Sequence, residues 1–126
     1  MTQGQVNGAY LADIPIDIFD SRRRLHRIRA VIDSGFDGEL VLPGSIIRGL
    51  GLLRIGEDEL YLPNGQPFLF NAYSGTIFWF NRERDITVLE SETYSLVGKF
   101  LLAESHIEID LTPGGTVTVT ELPATF

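Results

Sequence analysis

Residues 30–43, AVIDSGFDGELVLP, constrain the fold of this 126-residue chain more than any other segment. An apolar run, residues 30–32, leads directly into Asp33, and a second apolar run, residues 40–42, follows a polar, glycine-containing turn. A carboxylate that is withdrawn from water without a partner destabilises a fold by several kcal/mol, so an acid at the end of a core strand needs a reason. The segment predicts two strands that deliver Asp33 to a defined position at the turn between them.

Short strand-like segments also make up most of the remaining sequence. Apolar and polar residues alternate in YLADIPIDIFD, residues 10–20, with the period of a half-buried strand, and LHRIRAVID, residues 25–33, supplies a partner strand. GSIIRGLGLL, residues 44–53, has its apolar residues at helical spacing, and the apolar stretch after Gly98 is expected to form a second short helix. Eight or nine strands and two short helices are predicted, which indicates a mostly β, barrel-like domain.

A hairpin is predicted in ELYLPNGQPFLF, residues 59–70, where Asn64 and Gly65 lie between two apolar runs. Asn-Gly is a strong signal for a two-residue hairpin turn because both residues tolerate a positive φ. Pro63 and Pro67 flank the dipeptide and should make the hairpin stiffer.

The length fits one domain spanning residues 1–126, with residues 1–8, MTQGQVNG, expected to be flexible. Cysteine is absent, which excludes a disulfide framework, a thiolate metal site and a cysteine nucleophile. The sequence shows neither a secretory signal nor an apolar run of the roughly 18 residues needed to cross a bilayer. We therefore expect a cytoplasmic protein.

The charge is acidic and unevenly distributed. The net charge is −7; residues 55–126 carry 3 Lys plus Arg against 11 Asp plus Glu, whereas residues 1–54 carry 7 against 6. Because contacts to phosphate need cations, this balance argues against general nucleic-acid binding. The basic cluster SRRRLHRIR, residues 21–29, is interpreted as a solvated turn rather than as a patch for phosphate or an acidic partner.

The order of these features resembles the retropepsin-like aspartic proteases, single-domain relatives of pepsin that occur in retroviruses, retrotransposons and many prokaryotes. That family carries an Asp-Thr-Gly or Asp-Ser-Gly triplet after an apolar strand, which would here be residues 33–35. Its second signature is two apolar residues and a glycine, followed by a helix with paired leucines. Residues 96–98, Leu-Val-Gly, with Leu101 and Leu102, match it, and the glycines of the two motifs lie 63 residues apart, a spacing similar to that of the family.

The resemblance implies a retropepsin-like closed barrel that acts as a homodimeric aspartic endopeptidase. Each chain would contribute one Asp33, and the two carboxyl groups would share a proton and activate a water molecule for peptide-bond hydrolysis. Because each chain has one triplet, the second carboxyl group would come from a twin chain across a two-fold axis. The expected partners are this second copy and a peptide or protein substrate, with no nucleic acid, no membrane, no cofactor and no metal ion.

The resemblance also assigns roles to individual residues. Ser34 would hydrogen-bond across the dimer axis, and the Asn64-Gly65 hairpin would close over the substrate as a flap. Asp37 would bind substrate and pair with Lys99, where the family commonly has an arginine; lysine lacks the bidentate fork of arginine, so the pair should be weaker. The full expected set is catalytic Asp33, Ser34 and Gly35; substrate-binding Phe36, Asp37, Pro63, Asn64, Gly65 and Val97; and structurally supporting Leu96, Gly98 and Lys99.

Phe36 departs from the family pattern, because viral enzymes usually have alanine there, and its bulk is expected to line the cleft or to shield the dimer interface. Two other classes of function stay open: a catalytically silent retropepsin-fold dimer that binds a peptide or a partner protein, and an unrelated β-barrel binding domain. A Ser34 nucleophile assisted by His26 or His106 is disfavoured, since the G-x-S-x-G elbow is missing. The same histidines show no metal-ligand spacing.

Overall fold

The computed structural model describes residues 1–124 and contains ten β-strands and two short α-helices. In chain order the elements are β1 (Thr2–Val6), β2 (Ala12–Phe19), β3 (Leu25–Asp33), β4 (Leu40–Pro43), α1 (Gly44–Leu50), β5 (Leu53–Tyr61), β6 (Pro67–Trp79), β7 (Arg82–Ser91), β8 (Leu96–Gly98), α2 (Lys99–Leu102), β9 (Ser105–Ile109) and β10 (Thr116–Glu121). The predicted mostly β composition and both predicted helices are confirmed.

Six of the strands close into a barrel. Their order is β6-β7-β4-β8-β3-β2, and the ring closes because β2 also pairs with β6, where Asp17 lies opposite Phe78 and Ile18 lies opposite Ile77. β5 extends the sheet beyond β6, while β1, β10 and β9 extend it beyond β2. The predicted closed barrel is thus confirmed.

Alternation along β2 places its isoleucines in the core. Ile14, Ile16 and Ile18 are at most 1% exposed, and each fully buried side chain of this kind stabilises the fold by about 1.5–3 kcal/mol. Pro15 cannot donate a backbone hydrogen bond. It lies in the gap between the part of β2 that pairs with β1 and the part that pairs with β6, so its missing N–H interrupts neither ladder.

β4 is apolar on both faces because both faces are covered. Leu40, Val41 and Leu42 are fully buried, and the strand pairs in parallel with β7 and antiparallel with β8. Leu40 and Leu42 belong to the main core, whereas Val41 belongs to a second apolar cluster that contains Phe70 and Leu89. The apolar run that follows the Asp33 turn therefore separates two clusters.

Both helices are short and are anchored by apolar side chains. α1 follows Pro43 and buries Ile47 and Leu50. It ends at Gly51, whose φ of 70° is the left-handed conformation that glycine adopts without a Cβ penalty. The paired leucines of α2 are buried in the same core. Neither helix in residues 1–124 has the length and apolar character that crossing a membrane would require.

The N-terminal segment forms a strand, so the expectation of flexibility for residues 1–8 is wrong for residues 2–6. β1 pairs with β10 over most of its length and with β2 at Gln5 and Val6. Gly4 permits a close approach, because a Cβ there would lie 2.0 Å from the carbonyl oxygen of Asp13. The polar composition of the segment conceals this role, since its partner strands lie elsewhere in the sequence.

Candidate active site

Asp33 is the last residue of β3, and the second sequence motif lies beside it. One edge of β8 pairs in parallel with β3, with Asp33 opposite Gly98. The other edge of β8 pairs antiparallel with β4. β8 therefore separates the two strands that flank the Asp33 turn. The motifs at residues 33–35 and 96–98, distant in the sequence, are neighbours in the fold.

A tight turn orients the Asp33 carboxylate. Its Oδ1 accepts a hydrogen bond from the backbone N–H of Gly35 at 3.1 Å, and its carbonyl oxygen accepts one from the N–H of Phe36 at 3.1 Å. Asp33 is half-buried, whereas Ser34 and Gly35 are exposed. A Cβ on Gly35 would lie 3.5 Å from Asp33 Oδ1, an ordinary contact, so this chain alone does not require glycine there.

Backbone hydrogen bonds hold the loop after Asp33 against β8 and α2. The N–H of Gly98 donates to the carbonyl oxygen of Glu39 at 2.9 Å. The N–H groups of Lys99 and Phe100 donate to the carbonyl oxygens of Phe36 and Gly38 at 3.0 and 3.1 Å, respectively. A Cβ on Gly98 would lie 2.1 Å from the carbonyl oxygen of Gly38. Only glycine fits at position 98 without a backbone shift.

A cavity of about 430 Å³, hereafter the Asp33 cavity, brings Asp33 together with the β5–β6 hairpin. Among the predicted site residues, those that line it are Asp33, Gly35, Phe36, Asp37 and Pro63. Ser34 and the two residues at the hairpin tip, Asn64 and Gly65, lie outside its lining. The structure thus places most of the predicted catalytic loop and one flap residue around one space.

Four further side chains complete the wall of the Asp33 cavity and were not predicted from the sequence: Leu60, Tyr61, Leu62 and Phe70. The first three directly precede Pro63, so the apolar run at the hairpin was the available signal. Phe70 is delivered by the pairing of β5 with β6, in which it lies opposite Asp58. No local pattern reveals that register.

The predicted contact of Val97 with substrate is wrong for this structure, because its side chain is fully buried in the main core. The adjacent Leu96, predicted to be a support, is half-buried and packs against the second apolar cluster together with Phe36 and Leu60. Side chains alternate between the two faces of a strand. The two residues therefore face different clusters, and Leu96 is the one that shares a cluster with three residues of the cavity wall, Phe36, Leu60 and Phe70.

The hairpin tip is a three-residue loop and not the two-residue turn predicted. The N–H of Gly65 donates to the carbonyl oxygen of Leu62, and the N–H of Leu62 donates to that of Gln66, both at 2.8 Å. Within the tip only Gly65 has a positive φ, of 83°. Pro63 holds its own φ near −65°, which suits the first central position of a type I turn and excludes the type I′ turn.

The predicted ion pair between Asp37 and Lys99 is confirmed, with 2.5 Å between Oδ1 and Nζ. The two side chains are 60% and 46% exposed, and ion pairs between exposed groups contribute at most about 1 kcal/mol. The pair links the loop after Asp33 to the start of α2 without dominating its stability.

Glu39 provides a stronger polar link at the other end of the same loop. Its side chain is half-buried and accepts hydrogen bonds from the backbone N–H of Thr87 at 2.9 Å and from Arg84 at 3.3 Å. Arg84 also donates to the carbonyl oxygen of Phe100 at 3.0 Å. Hydrogen bonds to a carboxylate are roughly twice as strong as neutral ones, so Glu39 fixes the loop to β7.

The two histidines bind carboxylates away from the cavity. His26 Nε2 lies 2.7 Å from Asp20, and His106 Nε2 lies 3.2 Å from Glu108. Neither lines the Asp33 cavity, and both rings bond to carboxylates rather than to Ser34. Within residues 1–124, no three His, Asp or Glu side chains are grouped closely enough to hold a metal ion.

Comparison with solved structures identifies the fold as retropepsin-like. A retropepsin-like aspartic protease from Rickettsia conorii matches with a TM-score of 0.51 at 17% sequence identity, over 94% of this chain and 89% of that one. The foamy viral protease-reverse transcriptase, solved with an RNA/DNA hybrid, also matches with a TM-score of 0.51, at 15% identity over 74% of this chain and 12% of that one. The sequence itself matches no protein family and no curated protein, so the likeness defines the fold.

Proposed function

We propose that this protein is an aspartic endopeptidase that works as a homodimer, with one Asp33 from each chain in a shared active site. The observation that carries the proposal is the placement of Asp33. Its carboxylate lies at the end of β3, accepts the Gly35 N–H at 3.1 Å and lines a cavity of about 430 Å³ at the β5–β6 hairpin. The retropepsin-like fold supports the same assignment.

The proposed reaction uses two carboxyl groups, one ionised and one protonated. The ionised group takes a proton from water as the water oxygen bonds to the carbonyl carbon of the scissile peptide, and the protonated group donates its proton to the carbonyl oxygen. In the resulting diol the C–N bond breaks; the leaving nitrogen gains a proton while a diol hydroxyl loses one. One water is consumed, and the pair of carboxyl groups returns to its starting state.

A second copy of the chain is needed because the Asp33 cavity holds only one suitable carboxylate of this chain. Asp37 also lines the cavity, but its carboxylate is paired with Lys99. Ser34 and Gly35 are exposed beside Asp33, which leaves this surface free to meet an identical surface across a two-fold axis. Such an isologous contact presents the same residues from both subunits.

We propose that the β5–β6 hairpin acts as the lid of this site. Its tip is exposed, and Leu60 and Leu62 present apolar side chains to the Asp33 cavity. Closing an apolar lid excludes water and holds the substrate backbone in place. Pro63 within the loop limits the conformations that the tip can adopt.

Cleavage of a diverse peptide pool, with the products identified by mass spectrometry from acidic to neutral pH, tests the proposal. We expect defined cuts that vanish in Asp33→Asn, because the amide keeps the shape of the side chain and cannot accept the proton from water. Asp85→Asn is the matched control. Asp85 is exposed on β7 and accepts a hydrogen bond from Thr76, so this variant should cut like the wild type.

Mixed dimers test the shared site directly. When wild-type and Asp33→Asn chains with different tags are co-expressed and the heterodimer is purified, we expect it to be inactive. A heterodimer that retains half of the wild-type activity would contradict a dyad built from both chains. Cuts that persist in Asp33→Asn would overturn the aspartic mechanism, and peptide binding without cuts would indicate the silent binding module.

A further inference from the structure

Phe36 is held in one place by an aromatic contact and by two glycines. Its ring packs edge-on against Phe70, with centroids 6.0 Å apart and planes at 83°. The ring also covers the backbone of Gly38 and Gly98: a Cβ on Gly38 would lie 2.6 Å from ring atom Cε1, and one on Gly98 would lie 3.1 Å from Cδ1. These contacts leave the ring little freedom to turn aside when a substrate enters.

Two cavities approach each other at this ring. Phe36 lines the Asp33 cavity, of about 430 Å³. A second cavity, of about 390 Å³, is lined by Asp37, Gly38, Glu39, Asp58, Thr87, Leu89 and Phe100. Asp37 lines both cavities, and Gly38, which the ring covers, lines the second. Phe36 and Leu89 also pack in one apolar cluster, so the Phe36 ring lines the Asp33 cavity and lies beside residues of the second cavity.

We propose that Phe36 determines substrate specificity by closing the Asp33 cavity against the second cavity, so that the wild type accepts only a small side chain at the substrate position facing Phe36. This inference rests on the proposed peptidase function. Without the ring, the Asp33 cavity would extend toward the second cavity, with Leu60 and Phe70 in its apolar wall and the carboxyl groups of Asp37, Glu39 and Asp58 at its far end. The enlarged apolar part fits a larger aliphatic or aromatic substrate side chain.

Cleavage profiles of the wild type and of Phe36→Ala on the same peptide pool test this inference. An added methylene in an apolar pocket changes relative specificity by roughly 10- to 200-fold. We therefore expect kcat/KM for peptides with Phe, Leu or Met at the facing position to rise at least about tenfold relative to Gly or Ala peptides in Phe36→Ala. Phe36→Leu should give a smaller change in the same direction.

The matched control is Phe78→Ala, since Phe78 is 42% exposed at the far end of β6 from the hairpin. This variant should keep the wild-type profile.

An unchanged profile in Phe36→Ala, or uniform loss of activity without a change in relative preference, would overturn the inference and leave the peptidase assignment intact. Absence of Asp33-dependent cuts in the wild type would instead overturn the peptidase assignment. If thermal unfolding shows that Phe36→Ala does not fold, the profile of Phe36→Leu decides by the same criteria.

Discussion

At the scale of single residues, Gly98 determines how closely the loop after Asp33 can approach β8. In Gly98→Ala the new Cβ would lie 2.1 Å from the carbonyl oxygen of Gly38, a backbone atom that no rotamer change can move. We expect the free energy of unfolding to fall by about 1–3 kcal/mol, as for other overpacked sites. Urea unfolding followed by circular dichroism measures this change.

Gly49→Ala is the control for Gly98→Ala and should have the opposite sign. Gly49 lies in α1, and no heavy atom lies within 4 Å of the place where its Cβ would stand. Alanine in a helix interior is more favourable than glycine by about 0.5–1 kcal/mol. Similar losses in both variants would contradict a specific steric requirement at Gly98.

Asp20 is expected to make the stability depend on pH. Its hydrogen bond with His26 is the largest cause that lowers the pKa of Asp20 from 3.8 to about 2, and the backbone N–H groups of Arg24 and Arg22 lower it further. A lowered folded-state pKa stabilises the fold above the unfolded value, and this contribution is lost as the pH falls from about 3.8 to about 2. Asp20→Asn should therefore be less stable than the wild type at neutral pH.

The stability difference between the wild type and Asp20→Asn should shrink as the pH falls through this window. Urea midpoints of both proteins, measured from neutral pH down to about pH 2, give the comparison. A difference that stays constant over that range would show that the ionised form of Asp20 does not carry the effect.

Site residues could be predicted where a short motif fixes their neighbours. Asp37 follows the 33–35 triplet and Lys99 follows Gly98, so their contact depended only on the two motifs meeting, and it is present. The predicted contact of Val97 with substrate was wrong for a different reason. Which of two adjacent strand residues faces the cavity depends on the register of β8 with β3 and β4, and a single sequence does not reveal that register.

At the scale of elements, the local signals identified the helices and the hairpin but not β1. The β5–β6 hairpin and α1 each carry their own determinants, an Asn-Gly dipeptide in one and apolar residues at helical spacing in the other. β1 is a strand because β10 and β2 supply its hydrogen bonds. Its polar sequence is compatible with several structures, and only tertiary contacts select one.

Glu39 is the side chain that joins the Asp33 loop to β7, and its removal should destabilise that junction. Glu39→Ala leaves the Thr87 N–H without its side-chain acceptor and removes one of the two acceptors of the Arg84 guanidinium. Hydrogen bonds to charged groups contribute about 1.5–3 kcal/mol, so we expect a loss of that order in the free energy of unfolding. Hydrogen exchange should also show faster opening of the Thr87 amide.

The matched control is Glu92→Ala, since Glu92 is exposed in the turn after β7. Exposed substitutions of this kind usually change stability by at most about 0.5 kcal/mol. An equally small effect for Glu39→Ala, with unchanged exchange at Thr87, would contradict the structural role of the Glu39 carboxylate.

At the scale of the whole molecule, barrel closure depends on contacts that periodicity cannot predict. The pairing of β2 with β6 brings together Ile18 and Ile77, which are far apart in the sequence. Alternation and turn signals predicted the strands and a barrel-like domain, whereas the resemblance carried by residues 33–35 and 96–98 predicted that the barrel is closed and retropepsin-like. The solved structures that match this chain agree with that resemblance at the level of the fold.

The two edge strands of the sheet differ in how they are protected. β5 carries three consecutive acids at residues 57–59 and a register shift near Gly56, both of which discourage pairing with another chain. Among residues 1–124, β9 has β10 as its one neighbour in the sheet, and Ile109, together with Leu111 just beyond it, is exposed. The free edge of β9 is therefore the better candidate for contact with a second copy.

An antiparallel contact between two β9 strands would be self-complementary. Centred on Ile107, it would place His106 of each chain opposite Glu108 of the other. In the same register Ile109 of each chain would lie opposite Ser105 of the other, so both halves of the contact present the same residues.

Ile109→Lys should weaken the dimer, because a lysine on an edge strand opposes strand pairing. We expect the wild type to sediment as a dimer and the dissociation constant of the variant to rise at least about tenfold, which corresponds to about 1.4 kcal/mol. Peptide cleavage should fall with the dimer fraction and recover at higher protein concentration.

Leu25→Lys, at an exposed apolar position at the start of β3, is the control and should stay dimeric. A wild type that cleaves peptides as a monomer would rule out a dyad shared between chains, whereas an Ile109→Lys variant that dimerises like the wild type would place the interface elsewhere.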